Sequence, residues 1–306
     1  MGIRLAVGFF DGVHLGHQKI LSGANAVLTF RNHPLSVLAP DRCPPLLMGL
    51  DDRLETLATA GTKRMRDVRA IAFTQKFASY SPEQFAKYLR GEFPGLERIH
   101  CGGNWRFGAD GAGTPATLRA LGFDVKVVRY TKYRDERVSS TRIRKALAEG
   151  DVAAANAMLG HRFFVTGTVV GGKGIGRTLG SPTLNLMVSP PLKRGVYAVD
   201  TPLGRGVANF GVAPTMGKLA WAVPVLEVHL IDVHALDPCS PPAKLRVEFR
   251  EFLRPEMAFG SREALSEQIA DDIAKVKALE ERDMIAPRRR RARRVRWMLR
   301  CKKEKT

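Results

Sequence analysis

The feature that most constrains this chain is a change in its hydrophobic rhythm near Gly160. Before that point, short apolar runs alternate with helical patterns. Residues 5–10 and 26–30 are apolar enough to be fully buried strands, and 69–73, 99–103 and 123–128 read as further ones. Helical patterns lie between them, as at 81–90 and 115–121. Such alternation predicts a parallel sheet with helices on both faces. A helical stretch over 139–159, broken at Gly150 and Asp151, closes this half. Beyond it, 162–170, 195–201, 205–210, 226–233 and 244–252 are rich in Val and Phe and separated by Gly or Pro. That pattern predicts an all-β unit, a small barrel. Leu265, Ile269, Ile273 and Val276 then fall at helical spacing and predict a final amphipathic helix over 261–281. A chain of 306 residues has room for two domains. We expect one over 1–158, a second over 159–284, and a tail over 285–306.

Charge sets that tail apart. The net charge is +19, of which residues 288–306 carry +10 and the rest +9. A moderately basic body suits a protein that handles phosphorylated substrates. The arginine run with Trp297 can contact RNA or another acidic surface, and a solvated tail explains it as well. The four cysteines, Cys43, Cys101, Cys239 and Cys301, form no C-x-x-C pair. They make a poor disulfide framework and a poor zinc site, and read as free thiols. The first ten residues lack the features of a signal peptide. No stretch approaches the ~18 apolar residues of a membrane helix. A cytoplasmic location is therefore expected.

A first candidate site follows the first strand: Gly8-Phe-Phe-Asp-Gly-Val-His-Leu-Gly-His17. Gly8, Gly12 and Gly16 let backbone N–H groups approach phosphates, with Phe10 and Asp11 in the same loop. His14 and His17 are three residues apart and can face one ligand from a first helical turn. Two imidazoles there can hydrogen-bond an ATP phosphate and stabilise charge as pyrophosphate leaves. The alternative is a pair of structural histidines. Downstream, Ser139, Ser140, Thr141 and Arg144 place hydroxyls and a guanidinium at a helix start, an anion clamp or an ordinary helix cap.

A second candidate site lies in the barrel half. The stretch 167–185 is glycine-rich without the spacing of a P-loop. Gly172, Lys173 and Gly176 can form a flap around phosphates, although a plain glycine turn accounts for them equally. Thr183 and Asn185, two apart on an extended strand, face the same side. Their hydroxyl and amide oxygens are hard ligands suited to Mg²⁺ with ATP. Glu227, within an apolar strand pattern, is either a general base for a substrate hydroxyl or an outward-facing strand residue.

The G-F-F-D-G-V-H-L-G-H loop and the S-S-T-R-I-R segment resemble the nucleotidyltransferase half of the bacterial bifunctional riboflavin kinase/FAD synthetase family. Thr29-Phe-Arg-Asn-His-Pro34 and Gly102-Gly-Asn-Trp-Arg-Phe-Gly108 resemble further segments of that half. In the other half, G-R-T-L-G-S-P-T-L-N, G-V-Y-A-V, G-V-A-N-F-G-V-A-P-T, L-E-V-H-L and L-R-P-E resemble the family's riboflavin kinase module, in the same order. The resemblance covers about residues 3–283. It implies a Rossmann-like α/β nucleotidyltransferase domain, then a six-stranded-type β-barrel with a C-terminal helix. It implies Mg²⁺ and ATP, with riboflavin, FMN and FAD as substrates or products. Asn104, Arg106 and Phe107 would lie on the flavin side of the first site, and Arg254 on that of the second. Glu227 would be the base for the ribityl hydroxyl, with Thr183 and Asn185 for Mg²⁺-ATP. One departure is the first crossover: only residues 11–25 link the first two strands, where the family has a clearly longer helix. Competing readings are a riboflavin kinase whose first domain no longer adenylylates, and a nucleic-acid-binding protein on a decayed enzyme scaffold.

Overall fold

A computed structural model describes residues 2–60, 65–170, 183–213, 223–231 and 242–285. The chain opens with β1 (Ile3–Val7), α1 (Leu15–Leu21) and β2 (Ala26–Phe30). Helices α2 (Leu35–Leu38) and α3 (Leu50–Thr59) lead to β3 (Asp67–Ile71). Helices α4 (Gln75–Ala78) and α5 (Pro82–Glu92) lead to β4 (Leu96–Gly102), and α6 (Pro115–Ala120) to β5 (Val125–Val128). The five strands form one parallel sheet in the order β3-β2-β1-β4-β5. Side chains alternate between its faces, as strand geometry requires. Leu5, Val7, Leu28 and Ile99 pack with Phe85 and Leu89 of α5 and Leu118 of α6. Ala6 and Val27 pack on the other face with Leu21 of α1 and Leu57 of α3. Helices thus cover both faces, as the alternation predicts.

Two local differences have clear causes. The first strand ends at Val7 rather than running to residue 10, because Phe10 adopts a left-handed conformation and opens a turn. A small hairpin, β6 (Lys132–Tyr133) and β7 (Glu136–Arg137), was not legible in the sequence. It turns on Arg134 and Asp135, both at positive φ, with no glycine to signal it.

The helical stretch becomes α7 (Ser140–Glu149) and α8 (Val152–Leu159), separated where expected. Gly150 sits at φ 86°, the left-handed cap that glycine adopts without a Cβ clash. Beyond lie β8 (Phe164–Val170), β9 (Thr183–Met187), β10 (Gly195–Thr201), β11 (Gly204–Ala213), β12 (Val223–Leu230), β13 (Lys244–Arg254) and α9 (Arg262–Ile285). The six strands close into an antiparallel barrel in the order β10-β11-β12-β9-β8-β13. Closure leaves no sheet edge to aggregate.

The barrel interior holds Leu184, Leu186, Tyr197, Phe210, Leu226, Val228, Val247 and Phe249. That core continues into Ile143 and Leu147 of α7 and Val152 and Met158 of α8. The side chain of Asn156 stitches the junction: its amide donates to the Phe249 carbonyl (3.0 Å) and accepts from the Phe163 N–H (2.6 Å). On the outside of the barrel, Val276 of α9 packs on Val196, Ala198 and Val207. Among the described residues no helix is long and apolar enough to cross a membrane. The arginine-rich tail lies outside the described residues.

Candidate active sites

The loop after β1 is anchored and strained. The Gly8 N–H donates to the Leu28 carbonyl (3.2 Å), and the Thr29 hydroxyl to the Phe9 carbonyl (3.1 Å). Phe10, Gly12 and Val13 all lie at positive φ (58°, 76° and 41°). For Phe and a β-branched Val this costs on the order of 1–3 kcal/mol each, sustained only where the surroundings over-determine the backbone. Asp11 does much of that work. It is buried, and both carboxylate oxygens accept from the Leu47 N–H at 3.1 Å. It also forms an ion pair with Arg144 of α7, whose Nε donates to the Pro45 carbonyl (2.7 Å).

His14 caps the N-terminus of α1, its Nδ1 accepting from the His17 N–H at 3.3 Å. The two rings stack with centroids 3.5 Å apart. The three-residue spacing therefore does bring both imidazoles together. Burial, above all, lowers the His14 pKa to about 4, with the positive charge of Arg137 adding to the effect. Burial also pushes His17 well below its usual range, helped by His14 and Arg137. Both rings are neutral near pH 7, and the His17 Nδ1 is buried without a partner.

From α7, Ser139 accepts from the Arg142 N–H as helix cap, and the Ser140 hydroxyl donates to the Asp11 carbonyl (3.0 Å). Thr141 is exposed. The structure thus joins the histidine loop to the Ser-Ser-Thr-Arg segment across more than 120 residues of chain. Asp11 and Arg144 are paired with each other and support the loop. Phe107 is only 7% exposed and packs with Phe85 and Trp105, under Gly113. It shapes the loop over residues 102–108 from within the core. Asn104 lies at that loop's exposed surface, its Oδ1 accepting from Arg137 (2.8 Å), and Arg106 is exposed beside it.

Sequence reasoning passed over Arg137 itself. It stands on β7, close enough to lower both histidines and bonded to Asn104, so it links the two sides of the site. Its signal was only its place directly before the Val-Ser-Ser-Thr segment. Arg53 was missed too. It is fully buried, lies 4.0 Å over the Phe9 ring, and donates to the Phe30 carbonyl, supporting the loop from below.

The barrel site is built by register. On β9 and β12, Asn185 pairs with Glu227 and Thr183 with His229. Their neighbours Leu184, Leu186, Leu226 and Val228 point into the barrel, so these four side chains share its outer face. Thr183 Oγ1 lies 3.4 Å from His229 Nδ1, and burial keeps that imidazole's pKa low. Glu227 is exposed, and the Asn185 Oδ1 is buried with no partner among the described residues. Arg254, on β13, is turned toward α9: it makes a forked ion pair with Asp272 (3.0 and 2.8 Å). Gly172, Lys173 and Gly176 lie outside the described residues.

Family models match both halves of the chain: FAD synthetase over residues 2–142 and riboflavin kinase over residues 159–280. Curated relatives named bifunctional riboflavin kinase/FMN adenylyltransferase include one from Escherichia coli K12. It is 35% identical over 294 aligned residues, covering 89% of this chain and 90% of the relative. Another, from Bacillus subtilis 168, is 34% identical and covers 88% and 89%. Among solved structures, one described as a macrolide-efflux protein from Streptococcus pneumoniae superposes with a TM-score of 0.73. It covers 90% of this chain and 94% of that one, at 24% identity, which is a likeness of fold. With both domains present in order and relatives aligned over nearly their whole length, this chain belongs to the bifunctional riboflavin kinase/FMN adenylyltransferase family.

Proposed function

We propose that this chain phosphorylates riboflavin to FMN and adenylylates FMN to FAD, each with ATP. The observation that carries this is the presence of two separate assembled sites in one chain: stacked neutral histidines beside a strained glycine loop, and an exposed carboxylate flanked by hydroxyl and amide oxygens. A decayed scaffold has no reason to keep both.

In the adenylyl transfer, a phosphate oxygen of FMN attacks the α-phosphorus of ATP and pyrophosphate leaves. Neutral His14 and His17 can donate N–H bonds to the phosphates without carrying a fixed charge, and backbone N–H groups of the loop add to them. Arg137 supplies positive charge between the histidines and Asn104. In the kinase step, Glu227 takes the proton from the terminal ribityl hydroxyl as its oxygen attacks the γ-phosphorus of ATP and ADP leaves. Phosphoryl transfer depends mostly on positioning and charge neutralisation, so a small set of groups suffices. The orphaned Asn185 Oδ1 and the Thr183 hydroxyl are hard oxygen donors that fit Mg²⁺. They would hold it, and it would neutralise the ATP phosphates there.

Product analysis by chromatography after incubation with Mg²⁺-ATP and either riboflavin or FMN tests both steps. FMN from riboflavin and FAD from FMN are expected. FMN alone would leave a kinase with an inactive first domain, and neither product would refute the enzyme reading.

A further inference from the structure

The register of the barrel aligns more than the paired Glu227 and Asn185. Across five neighbouring strands, the Cα partners run Arg254, Val196, Asn209, Glu227, Asn185. Every member of this row lies on the outer face: Val196 packs under α9, Arg254 bonds Asp272 of α9, and Phe210, which follows Asn209, points into the barrel core. Asn209 therefore stands directly beside Glu227, on the side opposite Asn185. Neighbouring strands are about 4.8 Å apart, so the two asparagines flank the carboxylate at roughly 10 Å from each other.

The Oδ1 atom of Asn209 is buried with no hydrogen-bond partner among the described residues, as is that of Asn185. A buried amide oxygen left unpaired is costly, and a native site keeps one where a ligand supplies the donor. The two asparagines lie on opposite sides of Glu227, on different strands. Asn185 stands two residues from Thr183 on the nucleotide side. Asn209 stands on the side of Arg254, where residues 255–259 follow β13 and the Glu256 carboxylate lies over Gly211, the next outward position on β11. The missing donor at Asn209 thus belongs to the phosphoryl acceptor. A ribityl chain carries several hydroxyls. One gives its proton to Glu227, and the next along the chain is within reach of the neighbouring strand.

Resting on the kinase reading above, we infer that Asn209 is a substrate-binding residue of the barrel site. Its Oδ1 accepts a hydrogen bond from the ribityl hydroxyl adjacent to the one phosphorylated. It thereby sets the rotation of the polyol that aims the terminal oxygen at the γ-phosphorus.

The test replaces Asn209 with Leu, close in volume, and with Ala. Each variant is assayed with riboflavin and with an analogue lacking the hydroxyl next to the terminal one. Both substitutions should raise the KM for riboflavin about tenfold. They should leave the KM for Mg²⁺-ATP and the conversion of FMN to FAD unchanged, the latter reporting that the chain is folded. With the deoxy analogue, wild type and variants should be equal. A parallel rise in the KM for Mg²⁺-ATP would overturn the inference by placing Asn209 on the nucleotide side. So would an equal loss with the deoxy analogue. Titration of riboflavin by its own fluorescence reads the same contact without turnover. If wild type made no FMN, the kinase reading would fall, while a tenfold weaker riboflavin titration in Asn209→Leu would still establish the contact.

Discussion

The adenylyltransferase half carries its candidate site on a loop and a helix start, whereas the kinase half carries its candidate site on adjacent barrel strands. In the first, the residues come from positions 8–17 and 137–144, and nothing in the sheet itself fixes their distance. A buried ion pair, a helix cap and a bond from Ser140 to the Asp11 carbonyl do so instead. In the second, Thr183, Asn185, Asn209, Glu227 and His229 inherit their spacing from the ladder hydrogen bonds of β9, β12 and β11. A loop site can wrap a ligand, but its geometry depends on a few side chains. A strand site is stiff, and a single side chain can be lost without moving the others.

Substitutions sharpen that contrast. The largest effect is expected at the strand site. Glu227→Gln keeps the shape and removes the proposed base, so FMN formation should fall about a thousandfold with FAD formation unchanged. A loss of both activities would break the idea of two independent sites. His17→Ala should reduce FAD formation by about a hundredfold or more and spare the kinase, as expected for a donor acting on developing charge.

Asp11→Ala probes the loop's support rather than its chemistry. It leaves the Arg144 guanidinium without its carboxylate, a change that costs about 3 kcal/mol in unfolding free energy. Denaturant unfolding should show it, together with weakened FAD formation. A variant of normal stability would mean that the clamp is not what holds the loop.

The histidine pair predicts a pH dependence of similar size. His14 has a folded pKa of about 4, below the 6.5 of an unconstrained imidazole. Above pH 6.5 both states are neutral and the native state keeps its full stability. As pH falls from 6.5 toward 4, the unfolded chain takes up the proton first, and about 3 kcal/mol is lost from this group. His14→Asn, which keeps a capping side chain, should flatten that slope in urea melts taken at intervals across the window. The smallest effect is expected at the junction. Gly150→Ala forces a Cβ at φ 86°, 3.1 Å from Lys193 and 3.3 Å from Phe252 of the barrel. It should cost about 1 kcal/mol and lower both activities alike in a thermal inactivation series.

Much of this organisation was legible in the chain itself. Alternating runs specified the parallel sheet, Val- and Phe-rich runs the barrel, and Gly150 the break between α7 and α8. Those signals are local: burial period, turn chemistry and capping act within a few residues. The three-residue spacing of His14 and His17 likewise sufficed to bring their rings together.

What only the tertiary structure decided concerns contacts between distant segments. Asp11 stands in the glycine loop and Arg144 at a helix start, far apart in the chain. Their pairing across 133 positions follows from how α7 docks on the loop. Phe107 stands in a loop motif, and its ring is drawn into the core by Phe85 and Trp105. Asn209 carried no signal beyond its place in a strand motif. Its position beside Glu227 depends on the register between β11 and β12, which is set by which faces of both strands the barrel buries. Sequence determined which residues could do chemistry. The closing of the barrel and the docking of α7 determined which of them meet a ligand, because burial leaves a polar group only two outcomes: a partner within the protein or one that binds to it.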